Sequence, residues 1–224
     1  MNSLYLIPLS LCIMSSCSLD DLQSSRQVAT PVISTSTGVV TSTVQSVLTE
    51  AYQEELLAEA IYRDIVATYP ALASINNIAG SEEQHSTQVG RLLTARGIAL
   101  PTDFGIYTDT YTTLKALVDS SLTGAIEVGV MVETGDIDHL LTEYQKVTDV
   151  DIRRIFENIG GGSFNHLRAF LRLAEQYNYT PTTDYSRYMT AADLSTTGSL
   201  KYKMTELLEA NNLPTVGVSG NQGG

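Results

Sequence analysis

Apolar residues recur at helical spacing over most of the chain. They run from Val44 through Val47, Leu48, Ala51, Ala58, Tyr62 and Ile65 and stop before Pro70. That period predicts a first amphipathic helix, ended by the proline. A second periodic stretch covers about Ala71 to Ala95, with Gly97 and Pro101 beyond it as stop signals. A third spans about Gly124 to Val147, and a fourth about Asp149 to Tyr177. Between the second and third, residues 96–121 hold Pro101, Gly105 and several Thr-Tyr steps, with one short amphipathic turn around Leu114 to Val118. A link of this length suits a helical bundle with one long crossover. The expectation is therefore an all-α fold, a four-helix bundle whose crossover joins the second and third helices. Residues 180–197 are polar and predict irregular chain, Leu200 to Leu208 has the spacing of a short helix, and the Gly-rich end offers nothing to offset the entropy of ordering.

The N-terminus breaks the pattern. An apolar run from Leu4 to Met14 leads into Ser15, Ser16 and Cys17; it is too short to span a bilayer and has the character of an export signal. Met14-Ser15-Ser16-Cys17 resembles a bacterial lipobox, in which the cysteine is acylated; an ordinary signal cleaved near a small residue is the alternative. Residues 18–43, rich in Ser, Thr, Val and Gln, then read as a tether. The expected organisation is a lipoprotein signal over 1–17, a tether over 18–43, the bundle over 44–179 and an extension over 180–224. The expected location is the cell envelope, with the N-terminal lipid as the membrane partner. Both cysteines, Cys12 and Cys17, lie in the signal, so neither a disulfide framework nor a thiol nucleophile is expected.

Charge narrows the function classes. The formal net charge is −12 with only 13 Lys and Arg and no basic run, which argues against nucleic acid or an anionic membrane face as partner. The sequence names no protein partner and leaves a homodimer open.

The candidate chemistry lies in an internal duplication. His85 closes the motif Glu82-x-x-His85, and 81 residues later His166 stands in a matching context: Asn77-Ile78-Ala79-Gly80 aligns with Asn158-Ile159-Gly160-Gly161, and Arg91-Leu92 with Arg172-Leu173. Glu at i and His at i+3 share a helix face, so both can reach one ion in a bundle interior. A carboxylate-bridged di-metal bundle asks for a Glu from each of two helices and a Glu-x-x-His from each of the other two. Helix one offers Glu54, Glu55 and Glu59, with Glu55 at the right height. Helix three offers Glu133 and Asp136 on one face and Glu127 off it. Helix four supplies His166, but Ser163 stands where Glu would complete its motif, and Asp136 is placed to reach the gap. Glu157, nine residues before His166, falls on the other side of the helix at about 100° per residue. His139 lies off the metal face and is expected at the surface. Tyr62, two turns from Glu55 on the same face, reads as a hydrogen-bond donor to a ligand or a redox neighbour, with a core tyrosine whose hydroxyl is paired as the alternative. Gly80 and the run Gly160-Gly161-Gly162 read as close helix contacts or a kink beside the site, with a break in the fourth helix as the alternative.

Four segments together resemble a bacterial family of unknown function in the ferritin-like superfamily. They are Glu54-Glu55 with Tyr62, Asn77-Ile78-Ala79-x-Ser81-Glu82-x-x-His85, Val132-Glu133 with Asp136-Ile137, and Ser163-x-Asn165-His166-Leu167-Arg168-Ala169-Phe170. The resemblance spans roughly Val44 to Tyr177 and implies a four-helix fold with a metal site; in that family a second Glu often stands where this chain has Thr134. The reading that follows is an envelope-anchored, ferritin-like metal-binding protein with Glu55, Glu82, His85, Glu133, Asp136 and His166 as candidate ligands. Iron or manganese suits mixed carboxylate and imidazole donors, without excluding zinc, and oxidase or peroxide chemistry would follow if the centre is redox-active. The alternative is a non-catalytic envelope scaffold whose polar centre holds no metal.

Overall fold

The computed structural model describes residues 40–217. The expected signal segment, Cys17 and most of the expected tether lie outside them. All secondary structure among the described residues is helical, as the periodicity predicts. The elements are α1 (Ser42–Thr68), α2 (Ile75–Ala95), α3 (Thr108–Ser120), α4 (Leu122–Lys146), α5 (Val150–Gln176), α6 (Ala191–Ser195) and α7 (Tyr202–Ala210), with 3-10 turns at Pro70–Leu72 and Gly105–Tyr107.

Local chemistry sets the helix ends. Thr41, Ser121 and Asp149 cap α1, α4 and α5 by accepting hydrogen bonds from first-turn amides. Pro70 pushes Tyr69 out of helical conformation (φ −126°, ψ 80°), so α1 stops there. At the end of α2, Gly97 takes φ +70° while its amide and that of Ile98 bond back to Thr94 and Leu93. This is the left-handed cap that the glycine predicted. Asn178 (φ 52°) closes α5 in the same way.

The helices pair in sequence order. On α1 and α2, Glu55 meets His85 and Tyr52 lies against Gly90; moving up one helix moves down the other, so the pair is antiparallel. The α4 and α5 pair is antiparallel by the same argument: Gly129 packs on Phe170, Asp136 meets Ser163, and Tyr144 meets Glu157. Tyr62 and Phe170 pack across the two pairs in a tilted arrangement, ring centroids 5.2 Å apart and planes at 38°. Tyr62, Tyr144, Phe156, Phe164 and Phe170 are fully buried, each contributing roughly 1.5–3 kcal/mol through loss of apolar surface from water.

Three expectations are corrected. The crossover is not one turn but the 13-residue α3, which buries Leu114 and Val118 and is fixed to α1 by Tyr111 Oη donating to Asp64 (2.6 Å) and to Tyr69 through the Val118 carbonyl (2.9 Å). The polar stretch after Tyr179 contains α6, started by a capping box between Thr190 and Asp193. Gly80 touches nothing within 4 Å of where a β-carbon would sit, so it makes no close helix contact, and α5 runs unbroken through its three glycines.

The extension is bound to the pairs at several points. Arg168 and Arg172 of α5 donate to the carbonyls of Leu194, Thr196 and Gly198, and Asn165 accepts from the Leu200 amide (2.9 Å). Met204 and Lys201 rest on Gly160 and Gly161, where a β-carbon would come within 3 Å of them. At the two ends of the extension stand two buried carboxylates. Glu127 accepts from Tyr179, Thr182 and Thr183, and Glu157 accepts from Tyr144 and the Val216 amide.

Candidate metal centre

Four helices deliver the site. Glu54, Glu55 and Tyr62 come from α1, Glu82 and His85 from α2, Glu133 and Asp136 from α4, and Ser163 and His166 from α5. Each helix buries this face because apolar neighbours at i±3 and i±4 draw it inward.

Glu82 is the centre of the arrangement. Its Oε2 lies 2.7 Å from His85 Nδ1 and its Oε1 lies 2.8 Å from His166 Nδ1, so one carboxylate addresses both imidazoles, one oxygen each. Glu55 flanks the first, with its Oε2 3.4 Å from His85 Nδ1, and Glu133 flanks the second, with its Oε1 3.5 Å from His166 Nδ1. Two donor sets result, Glu55-Glu82-His85 and Glu82-Glu133-His166, each with its ligand atoms within 4.8 Å of one another. The two rings lie 5.8 Å apart in a near-parallel stack. Tyr62 is fully buried and donates to Glu133 (2.5 Å), so it is a core residue with its hydroxyl paired and also a hydrogen-bond donor to a candidate ligand.

The surroundings are buried and acidic. Glu54, Glu55, Glu82, Glu133 and Asp136 are all buried, and among the described residues no Lys or Arg pairs with any of them. Five buried carboxylates against the three nearby imidazoles of His85, His166 and His139 cannot all remain ionised without further positive charge, because isolated buried charge costs several kcal/mol per ion. Protons do this work where no ion is bound. Burial raises Glu54, Glu55 and Asp136 above the ordinary carboxyl range and lifts Glu133 to about 7. Burial also disfavours the charged imidazoles, but Glu55 and Glu82 raise His85 to about 11, and Glu133 and Glu82 raise His166 to about 10. Glu82 feels the same burial, which His166 and His85 outweigh, and it stays well below the ordinary range.

The donor set suits a divalent ion. His166 Nδ1 is buried without an aligned hydrogen-bond partner although a carboxylate oxygen lies 2.8 Å away; a nitrogen and a carboxylate oxygen this close share a proton when no ion is bound, and once that proton leaves both can ligate a cation. Asp136 Oδ1 is likewise buried and unpaired. A cavity of about 10 Å³, the space of about one water-sized sphere, is lined by Glu54, Glu55, Ala58, Glu82, Val132, Glu133 and Asp136.

The five residues Glu55, Glu82, His85, Glu133 and His166 thus converge. Asp136 stands beside them, where its Oδ2 accepts from Ser163, in the gap left by the missing glutamate; it belongs to neither three-residue donor set. Glu54 is an addition that the pattern did not single out, since it was equally well placed for a solvated face. His139 corrects the expectation of exposure: it is largely buried, with Nε2 3.9 Å from Glu54 Oε2 and Nδ1 3.4 Å from Tyr107 Oη. The crossover supplies that tyrosine, so no local signal could reveal it. Thr134 bonds back to Val130 and Met131 and takes no part. Glu127 and Glu157 lie outside the site, bound to the extension.

Residues 45–191 match the family described as an uncharacterized protein domain, DUF2202. The uncharacterized protein MJ0754 of Methanocaldococcus jannaschii is 34% identical over 144 residues, which take in 60% of this chain and 77% of the relative. The crystal structure of the hypothetical protein MJ0754 from Methanococcus jannaschii has a TM-score of 0.63 to this chain at 27% identity, covering 77% of this chain and 95% of that one. Neither description carries an activity. That relative is archaeal, so kinship to this chain is not confined to bacteria.

Proposed function

The chain belongs to the DUF2202 family, and we propose that it is a ferritin-like four-helix bundle whose α1, α2, α4 and α5 hold a two-ion iron or manganese centre. The observation that carries this reading is the position of Glu82, with one oxygen turned to each imidazole and a second carboxylate flanking each ring. His85 and Glu55 would hold one ion, His166 and Glu133 the other, and Glu82 would bridge them. Bound there, such ions would supply electron exchange with oxygen or peroxide. The chain's own residues bind and orient: Tyr62 fixes Glu133 by its hydrogen bond, and Ser163 holds Asp136 beside the pair as a reserve carboxylate. The buried aromatic and aliphatic shell keeps bulk water out.

Elemental analysis of the protein purified without chelator, after growth with iron and manganese, tests the proposal. About two ions per chain are expected, and Glu82→Ala with His85→Ala should abolish binding while leaving helicity intact. Absence of metal, with none taken up on reconstitution, rejects the centre. It would favour the competing reading of a metal-free scaffold, for which the hydrogen bond between His85 Nδ1 and Glu82 is the supporting observation.

Lipid anchoring in the cell envelope belongs to the same proposal. It rests on the apolar run and Met14-Ser15-Ser16-Cys17. Fatty-acid labelling that persists in Cys17→Ala would reject it.

A further inference from the structure

Gly162 faces the centre from α5. A β-carbon built on it would stand 2.9 Å from His85 Cε1 and 3.0 Å from His85 Nε2, with His166 Cε1 at 3.9 Å. Non-bonded carbons rest at about 3.5–4.0 Å, so the His85 ring keeps its place only against bare backbone. The other two glycines of the run have different neighbours: Gly160 faces Met204 and Gly161 faces the Lys201 backbone, both in the extension. Only Gly162 of the three opens onto the ligands. A glycine inside a helix costs about 1 kcal/mol relative to alanine, and here the glycine coincides with a specific steric need. The two halves differ at this point: the residue 81 positions before Gly162 is Ser81, which carries a β-carbon.

Resting on the two-ion reading, we propose that Gly162 is a positioning residue for one of the two ion positions. The space left by its missing side chain is where the His85 imidazole lies to face Glu55 and Glu82 together. A methyl group at that point displaces the ring and removes the position built on His85. The position built on His166, Glu82 and Glu133 keeps its ligands, because the same methyl would meet His166 only at ordinary contact distance. The site changes from two ions to one.

The test compares the full chain with Gly162→Ala, Gly80→Ala, His85→Ala and Gly162→Ala/His85→Ala. Gly80→Ala is the control for alanine in a helix, since a β-carbon there meets nothing within 4 Å. Each protein is stripped with chelator and dialysed against Mn(II), and bound manganese is counted. About two ions are expected for the parent and for Gly80→Ala, and about one for Gly162→Ala. Two ions in Gly162→Ala, bound as tightly as in the parent, overturn the inference alone; no manganese in the parent overturns the two-ion reading and the inference with it. Urea unfolding of the stripped proteins adds a readout that needs no ion. The alanine should lower the midpoint beside His85 and not in the His85→Ala background, and an equal effect in both backgrounds overturns the steric contact.

Discussion

Replacing Glu127 by Gln isolates the attachment of the extension to the helices. Its carboxylate accepts from five donors: Tyr179 Oη (2.7 Å), the Thr182 amide (3.0 Å) and hydroxyl (2.7 Å), and the Thr183 amide and hydroxyl (both 2.8 Å). Burial would push this carboxyl up, but the hydrogen bonds outweigh it and bring it from 4.5 to about 2. Such a displacement corresponds to roughly 3 kcal/mol at neutral pH. The donors lie where the extension leaves the edge of the bundle, and solvent screening reduces this to about 2 kcal/mol. An amide in its place keeps one acceptor and turns an NH2 toward donors. The expected fall in Tm at pH 7 is about 4–8 °C for a domain of this size, followed by circular dichroism. Because the folded-state value is depressed, the stabilisation is complete above the ordinary 4.5 and is lost as pH falls through about 2. The gap between parent and variant should therefore be about half its neutral value or less at pH 3. A gap that does not change with pH, or one under about 1 °C at pH 7, would refute the reasoning. Hydrogen exchange gives a local check: the Thr182 and Thr183 amides should be protected in the parent and exchange fast in the variant.

Two further perturbations follow. His85 and His166, raised to about 11 and about 10, carry protons at pH 7 when no ion is bound; metal uptake must displace them, so affinity should rise with pH. Calorimetry in two buffers of different ionisation enthalpy should show proton release, and uptake without it would count against ligation by both imidazoles. Gly129→Ala would place a β-carbon 2.1 Å from Phe170 Cδ1 and should cost about 1–3 kcal/mol in urea unfolding, whereas Gly135→Ala, with nothing within 4 Å, should be neutral or gain up to about 1 kcal/mol.

The four long helices were legible because each carries an unbroken apolar period between recognisable ends. The α3 helix was not, since its Thr- and Tyr-rich sequence has weak helix propensity and only Leu114 and Val118 are buried; contacts to Asp64 and Tyr69 hold it. The α6 helix did have a local signal, the Thr190-x-x-Asp193 box, within a stretch whose polarity masked it. In the site, Glu82, His85 and His166 could be found from spacing and repetition alone. The burial of both Glu54 and its neighbour Glu55 could not, because adjacent helix residues diverge by about 100° and only packing on two sides covers both. His139 depends on Tyr107, 32 residues away in the chain, and periodicity carries no information on such a contact.

Residues 81 apart in the two halves come to one centre in unequal roles: His85 and His166 each face Glu82, while Ser163, the counterpart of Glu82, donates to Asp136. A symmetric dimer of identical half-length chains would have to present the same residue at both members of each pair: two glutamates or two serines, two glycines or two β-carbons. A continuous chain is free of that identity. It can keep one glutamate between the imidazoles on α2 and a small hydroxyl at the equivalent place on α5, and it can leave one half bare at Gly162 while the other carries Ser81. The unequal surroundings of the two imidazoles are thus a form of specialisation that covalent fusion permits and exact two-fold symmetry forbids.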